Sequence, residues 1–226
     1  QRAASTARVQ RKLIATFGHD LGNPLQSITM SAALLRPQSP RDTDLKRNIV
    51  AAGKKLERLL AHMRDLNQMQ AGNHISVHPV PTDLSTLVKG VLESEEALYP
   101  ELIIQSEIED NIDAMVDAER YTEVIAHMLN NASQQSKSDC PTVVKLHRHE
   151  DSSVLTISSQ IDPLSPEQLA RLFQPIGDDT DVGDQSGLAM GLYICAAIVQ
   201  AHEGSVGAEQ ADGAIIFCLT LPAMPS

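Results

Sequence analysis
The chain has no tryptophan and only three tyrosines and three phenylalanines, so it lacks the aromatic platforms on which single-stranded nucleic acids stack. Positive charge is also in short supply. Eighteen Lys and Arg face 29 Asp and Glu, and the resulting net charge of -11 opposes binding to nucleic acid or to an anionic membrane. No apolar run approaches the ~20 residues that span a bilayer, and the opening residues do not read as a secretory signal. Cys140, Cys195 and Cys218 are odd in number and far apart, without the paired spacing of a zinc site. They read as reduced core cysteines of a cytoplasmic protein. What the chain does have is apolar mass. With 42% hydrophobic residues among 226, two modest domains with real cores are expected, and disorder is not.

The most informative stretch runs from Phe17 to Ile28. Leu13, Phe17, Leu21, Leu25 and Ile28 recur at helical spacing and form one buried stripe. His19 lies off that stripe and faces water. Asn23, one turn on, shares its face, and Asp20 is an adjacent acid able to orient the ring or take its proton. Pro24 cannot donate a backbone hydrogen bond and clashes with the carbonyl of Asp20, which loosens the helix beside an exposed histidine.

This first helix is expected to run to about Arg36, where Pro37-Gln38-Ser39-Pro40 ends it and Asp42 or Asp44 caps the next. The second helix carries Leu45, Ile49, Ala52, Leu56, Leu59, Met63, Leu66 and Met69, the alternating three- and four-residue steps of a coiled-coil seam. Two helices with one stripe each bury both well only in a four-helix bundle of two copies. Residues 1–70 therefore read as a helical hairpin that dimerises.

Residues 71–82 break the heptads and read as a hinge and first strand. From there to residue 226 the pattern predicts helix 83–98, strands at 101–108 and 114–116, and helix 118–135. Strands 142–149 and 153–159, a short helix 166–172 and a polar loop 177–186 follow. Helix 188–202 and strands 204–209 and 214–221 close the chain. This is a mixed sheet covered on one face by helices, an α/β sandwich. His147 and His149 share a strand face, but no third ligand is evident, and the face reads as solvated.

Several motifs in this order resemble those of sensor histidine kinases. The string His19-Asp20-Leu21-Gly22-Asn23-Pro24-Leu25, followed by Gln26, is similar to the phosphoacceptor motif of their bacteriophytochrome-type branch. Val124 to Ala132, ending in Asn130-Asn131-Ala132, resembles the N box, Leu172-Phe173-Gln174-Pro175 the F box, and Gly187-Leu188-Ala189-Met190-Gly191-Leu192 the G2 box. Ala201-His202-Glu203-Gly204 and the ending Phe217 to Pro222 also fit the family. The resemblance implies a dimeric four-helix bundle followed by an ATP-binding sandwich of the gyrase, Hsp90 and histidine kinase type. It implies His19 as phosphoacceptor, Asp20 as orienter and general base, and Asn23 as the residue positioning water for a phosphatase reaction. It implies Asn131 as a Mg²⁺ ligand beside ATP, with Gly187, Leu188 and Gly191 close to phosphate. A homodimer, a response-regulator receiver domain and an upstream sensor, photosensory in that branch, are the implied partners.

The departures from the family gather in the nucleotide pocket. The G1 box falls at Ser159 to Leu164, where Ser159 replaces the adenine-selecting aspartate and Ile161 a glycine. Gln134 stands where a basic residue is expected, His127 at the first N-box asparagine and Ala189 at a glycine. Asp178, Asp179, Asp181 and Asp184 crowd the loop that should cover the phosphates, which repels a triphosphate unless metal intervenes or the acids point outward. The sequence thus supports a histidine kinase that phosphorylates His19 from ATP and passes the group to a regulator. The alternative is a dimeric phosphotransferase or phosphatase whose ATP domain has decayed. A purely structural coiled-coil dimer leaves His19, Asp20, Asn23 and Pro24 without a purpose.

Overall fold
The computed structural model describes residues 25–70, 74–136, 140–174 and 186–224. Two compact units divide the chain between Ile75 and Ser76. In the first, helix α1 (residues 25–34) is followed by helix α2 (Pro40–Gln70). Leu25 and Ala32 on α1 and Leu60 on α2 are buried. A side chain at Gly53 would overlap that of Thr29, so glycine is what lets the two helices approach this closely.

The start of α2 differs from the expected cap. Ser39 is the cap: its hydroxyl accepts from the Asp42 N–H at 3.1 Å, while the Asp42 carboxylate accepts from the Gln38 N–H at 3.2 Å. Asp44 pairs with Arg47 instead, at 2.6 Å. Pro40 therefore opens a helix rather than ending one, because its missing N–H is not needed in the first turn. Leu45, Ile49, Leu56, Leu59 and Met63 stay 38–52% exposed in the single chain. Their spacing keeps them in one part-exposed apolar stripe along α2.

In the second unit, β1 (Val80–Asp83) leads into α3 (Leu84–Leu98), capped by Asp83 on the Thr86 N–H at 3.1 Å. Next come β2 (Ile104–Ile108), β3 (Asp113–Val116) and α4 (Ala118–Gln135). The antiparallel hairpin of β4 (Thr142–His149) and β5 (Ser152–Gln160) precedes α5 (Pro166–Arg171), which opens with a Ser165/Gln168 capping box. Helix α6 (Ser186–Ala201) and strands β6 (Ser205–Ala211) and β7 (Ala214–Pro222) complete the unit. Asp212 and Gly213, both at positive φ (50° and 77°), make the two-residue turn between the last two strands.

The expected single sheet is two. Five strands pair in the order β2-β4-β5-β7-β6, and only β2 and β4 run parallel. Strands β1 and β3 form a separate antiparallel ribbon. The chain reverses at Asn111 (φ 59°), and the Ser85 hydroxyl accepts from the Ile112 N–H while donating to the Glu109 carbonyl. That clasp turns β3 away from β2. Alternation then sets the core: Leu155 and Ile157 of β5 lie opposite Leu219 and Phe217 of β7, facing inward beneath α3, α4 and α6. The same alternation corrects the reading of the cysteines. Only Cys195 is buried, while Cys218, between inward Phe217 and Leu219, points to the other face and is half-exposed, as is Cys140.

Candidate functional site
Helix α4 presents Tyr121, Val124, Ile125, Met128, Leu129 and Ala132 to the core, and this stripe carries Asn131 inward at its end. Asn131 is 1% exposed, and its Nδ2 has no hydrogen-bond partner. Strand alternation does the same to Ser159, which follows Leu155 and Ile157 on the inner face, is 2% exposed and leaves its Oγ without a partner. Its neighbour Ser158 faces the opposite way, toward the Val143 carbonyl. Buried polar atoms are nearly always hydrogen-bonded, and leaving one unmet costs about 1–3 kcal/mol. Two such atoms on packed elements, α4 and β5, mark a place where a polar ligand can complete the structure. The two open atoms, an amide N–H donor and a hydroxyl, suit acceptor atoms such as those of a nucleotide, and the amide oxygen is of the hard type that a cation such as Mg²⁺ takes as ligand.

Helix α6 supplies the third side. Gly187 and Leu188 lie in its first turn, where backbone N–H groups are not consumed within the helix and favour an anion. A side chain at Gly191 would overlap the imidazole of His127 on α4, so glycine here serves close helix approach. The packing of His127 on Gly191 was not legible beforehand, since nothing local links the two. Ile161 is 2% exposed, and its N–H donates to the Gly213 carbonyl at 3.1 Å. Its side chain is packed in the core, two residues after Ser159. Phe173 stands edge-to-face with Phe217, ring centroids 6.3 Å apart, which anchors the segment after α5.

His19, Asp20, Asn23 and the acids Asp178, Asp179, Asp181 and Asp184 lie outside the described residues, as does the side chain of Gln134. His147 and His149 are exposed on β4, and among the described residues no three His, Cys, Asp or Glu are placed to hold a metal. Burial pushes the Cys195 thiol above its ordinary value and disfavours the thiolate.

Comparison with known proteins adds two family matches in succession. Residues 9–72 match the His Kinase A (phospho-acceptor) domain, and residues 116–225 match the histidine kinase-, DNA gyrase B-, and HSP90-like ATPase. A bacteriophytochrome of Pseudomonas aeruginosa is 40% identical over 222 residues, covering 97% of this chain and 30% of that protein. The sensor protein VanSC of Enterococcus gallinarum is 30% identical over 233 residues, covering 98% of this chain and 63% of its own length. The chain thus spans less than two thirds of either relative. Among solved structures, full-length ShkA in complex with AMPPNP superposes with a TM-score of 0.63 at 19% identity, over 95% of this chain and 46% of that one. The mycobacterial sensor histidine kinase MprB superposes at 0.55 and 19% identity, over 65% of this chain and 100% of that one. At such identity these two likenesses speak for the fold.

Proposed function
The chain belongs to the sensor histidine kinases, and from that premise we propose that it phosphorylates His19 from ATP and passes the phosphoryl group to an aspartate of a response-regulator receiver domain. One observation carries the reading: the phospho-acceptor match includes His19 and is followed on the same chain by an ATPase-type unit. A neutral ring nitrogen of His19 attacks the γ-phosphorus in line, a nitrogen–phosphorus bond forms, and the bond to ADP breaks. Asp20 orients the ring and takes its proton. Asn23 positions a water that hydrolyses the aspartyl phosphate of the regulator, releasing inorganic phosphate and restoring the carboxylate. In the second unit, Asn131 holds the phosphate end through its amide, the first-turn N–H groups of α6 face phosphate, and Ser159 meets the base. Mg²⁺ bound beside Asn131 would neutralise phosphate charge. Two copies pair through the stripe Leu45, Ile49, Leu56, Leu59 and Met63, and an upstream sensor controls them in the cytoplasm. No described helix is long and apolar enough to cross a membrane.

The buried side chain of Ile161 and the uncharged Ser159 favour a second reading, a dimeric phosphotransferase or phosphatase without ATP. Calorimetry with a non-hydrolysable ATP analogue separates the two. Losing one charge-assisted hydrogen bond costs about 1.5–3 kcal/mol, so Mg-dependent binding at least about ten times weaker than in a relative with an aspartate here is expected. Asn131→Ala should abolish it. No heat at millimolar nucleotide, with His19 still accepting phosphate from a regulator, would leave only the second reading. Ser159→Asp with Ile161→Gly should then restore binding if those side chains alone close the site.

A further inference from the structure
The end of α6 and the start of α4 are joined by one buried ring. His202, 4% exposed just past α6, has its Nδ1 2.7 Å from the Ile198 carbonyl, and its Nε2 accepts from the Asp117 N–H at 2.9 Å. Those two partners, an acceptor and a donor, set a neutral ring with its proton on Nδ1. The Tyr121 ring packs edge-on at 6.3 Å, and Gly204 sits so tightly on the Thr220 carbonyl that a side chain there would not fit. Asp117 is also the cap of α4, accepting from the Arg120 N–H at 3.3 Å. Its second carboxylate oxygen accepts from the His78 N–H at 3.0 Å, in the segment that enters β1. Four hydrogen bonds thus run from the entering segment through the α4 cap to the last turn of α6.

We propose that His202 is a positioning residue for the nucleotide site, setting the register of α6 against α4 and coupling the entering segment to it through Asp117. The proposal rests on the reading of Asn131 and the α6 amino terminus as the phosphate end. Asp117 and Asn131 stand 14 residues apart on α4, about 21 Å at 1.5 Å per residue. Helix α6 has His202 at its far end and Gly187 at its near end, with the His127–Gly191 contact between. A ring bonded to both helices at one end therefore fixes how far the Gly187 and Leu188 N–H groups lie from Asn131 at the other. Removing it leaves the part-buried Asp117 N–H without an acceptor and frees α6 to slide. None of this is shared with the ligand: His202 touches neither Asn131 nor Ser159 in any hydrogen bond.

The test compares His202→Leu, His202→Gln and Asp117→Asn with the wild-type chain. Amide exchange at His78 and the chemical shifts of Gly191 are read without nucleotide, and affinity for a Mg-bound ATP analogue by calorimetry. His202→Leu should speed His78 exchange about tenfold, shift Gly191 and weaken the nucleotide about tenfold, each equivalent to about 1.4 kcal/mol. His202→Gln, whose amide oxygen can accept from Asp117, should recover most of both. Should the leucine variant fail to fold, Asp117→Asn keeps a good helix cap with one acceptor oxygen fewer and should still lose His78 protection. Wild-type values for His78 and Gly191 in His202→Leu would overturn the proposal, as would uniform loosening of the whole unit. If the wild type gives no binding heat, it is the ATP reading that fails, and the His78 and Gly191 signals still decide the register.

Discussion
Gly191→Ala offers a sharp test of how α4 and α6 meet. In an exposed helix interior this change is stabilising by about 1 kcal/mol, because alanine holds helix better than glycine. Here the added methyl would occupy the space of the His127 imidazole. Forcing an extra methyl into a filled contact costs about 1–3 kcal/mol, so the net effect should lie between neutral and about 2 kcal/mol destabilising. Only the far end of the His127 side chain stands in the way, so a ring rotation can relieve part of the overlap, but its buried Nε2 has to move with it. The clearest evidence is a double-mutant cycle in urea denaturation with His127→Ala. Once the ring is gone, Gly191→Ala should regain its helix advantage and become stabilising, giving a coupling of about 1–3 kcal/mol. If Gly191→Ala stabilises equally with and without His127, the close contact is not there and the packing of α6 on α4 is misassigned.

The exposed stripe of α2 predicts assembly: Leu59→Glu puts an unpaired charge into the seam and should convert a dimer into monomers in light scattering at micromolar concentration, whereas persistence of the dimer would place the interface elsewhere. Acid sensitivity follows from Asp117. Burial pushes its carboxyl up, but the N–H groups of His78 and Arg120 outweigh this and hold it below the ordinary 3.8. A lowered carboxyl contributes stability that is fully present above pH 3.8 and is lost as pH falls below it. The stability gap between wild type and Asp117→Asn in thermal melts should therefore close on acidification below about pH 4, and a gap unchanged at pH 3 would contradict the assignment.

What could be read from the chain was whatever is written in local pattern. Helix 118–135 has the bounds expected of it, and the strands expected at 153–159 and 214–221 are present with ends that differ by a residue. Errors arose where two local signals compete. Ser39-Pro40 reads equally as a stop or a start, and only the hydrogen bond from Asp42 to Ser39 decides it. The split into two sheets depends on a clasp between Ser85 and Ile112, and the tie of His202 to Asp117 joins residues 85 positions apart. Neither leaves a trace in periodicity. That Asn131 and Ser159 keep polar atoms without partners is likewise visible only once the whole unit is packed.

On the proposed function, ATP held in the second unit phosphorylates His19. This is tested most directly by incubating the chain with γ-labelled Mg-ATP and following the label in the wild type, His19→Gln and Asn131→Ala. An adduct that is lost in acid and survives base is expected, absent from His19→Gln and nearly absent from Asn131→Ala although both variants fold and dimerise. Label that persists in His19→Gln, or a wild-type chain that binds the nucleotide yet never acquires label, would contradict it.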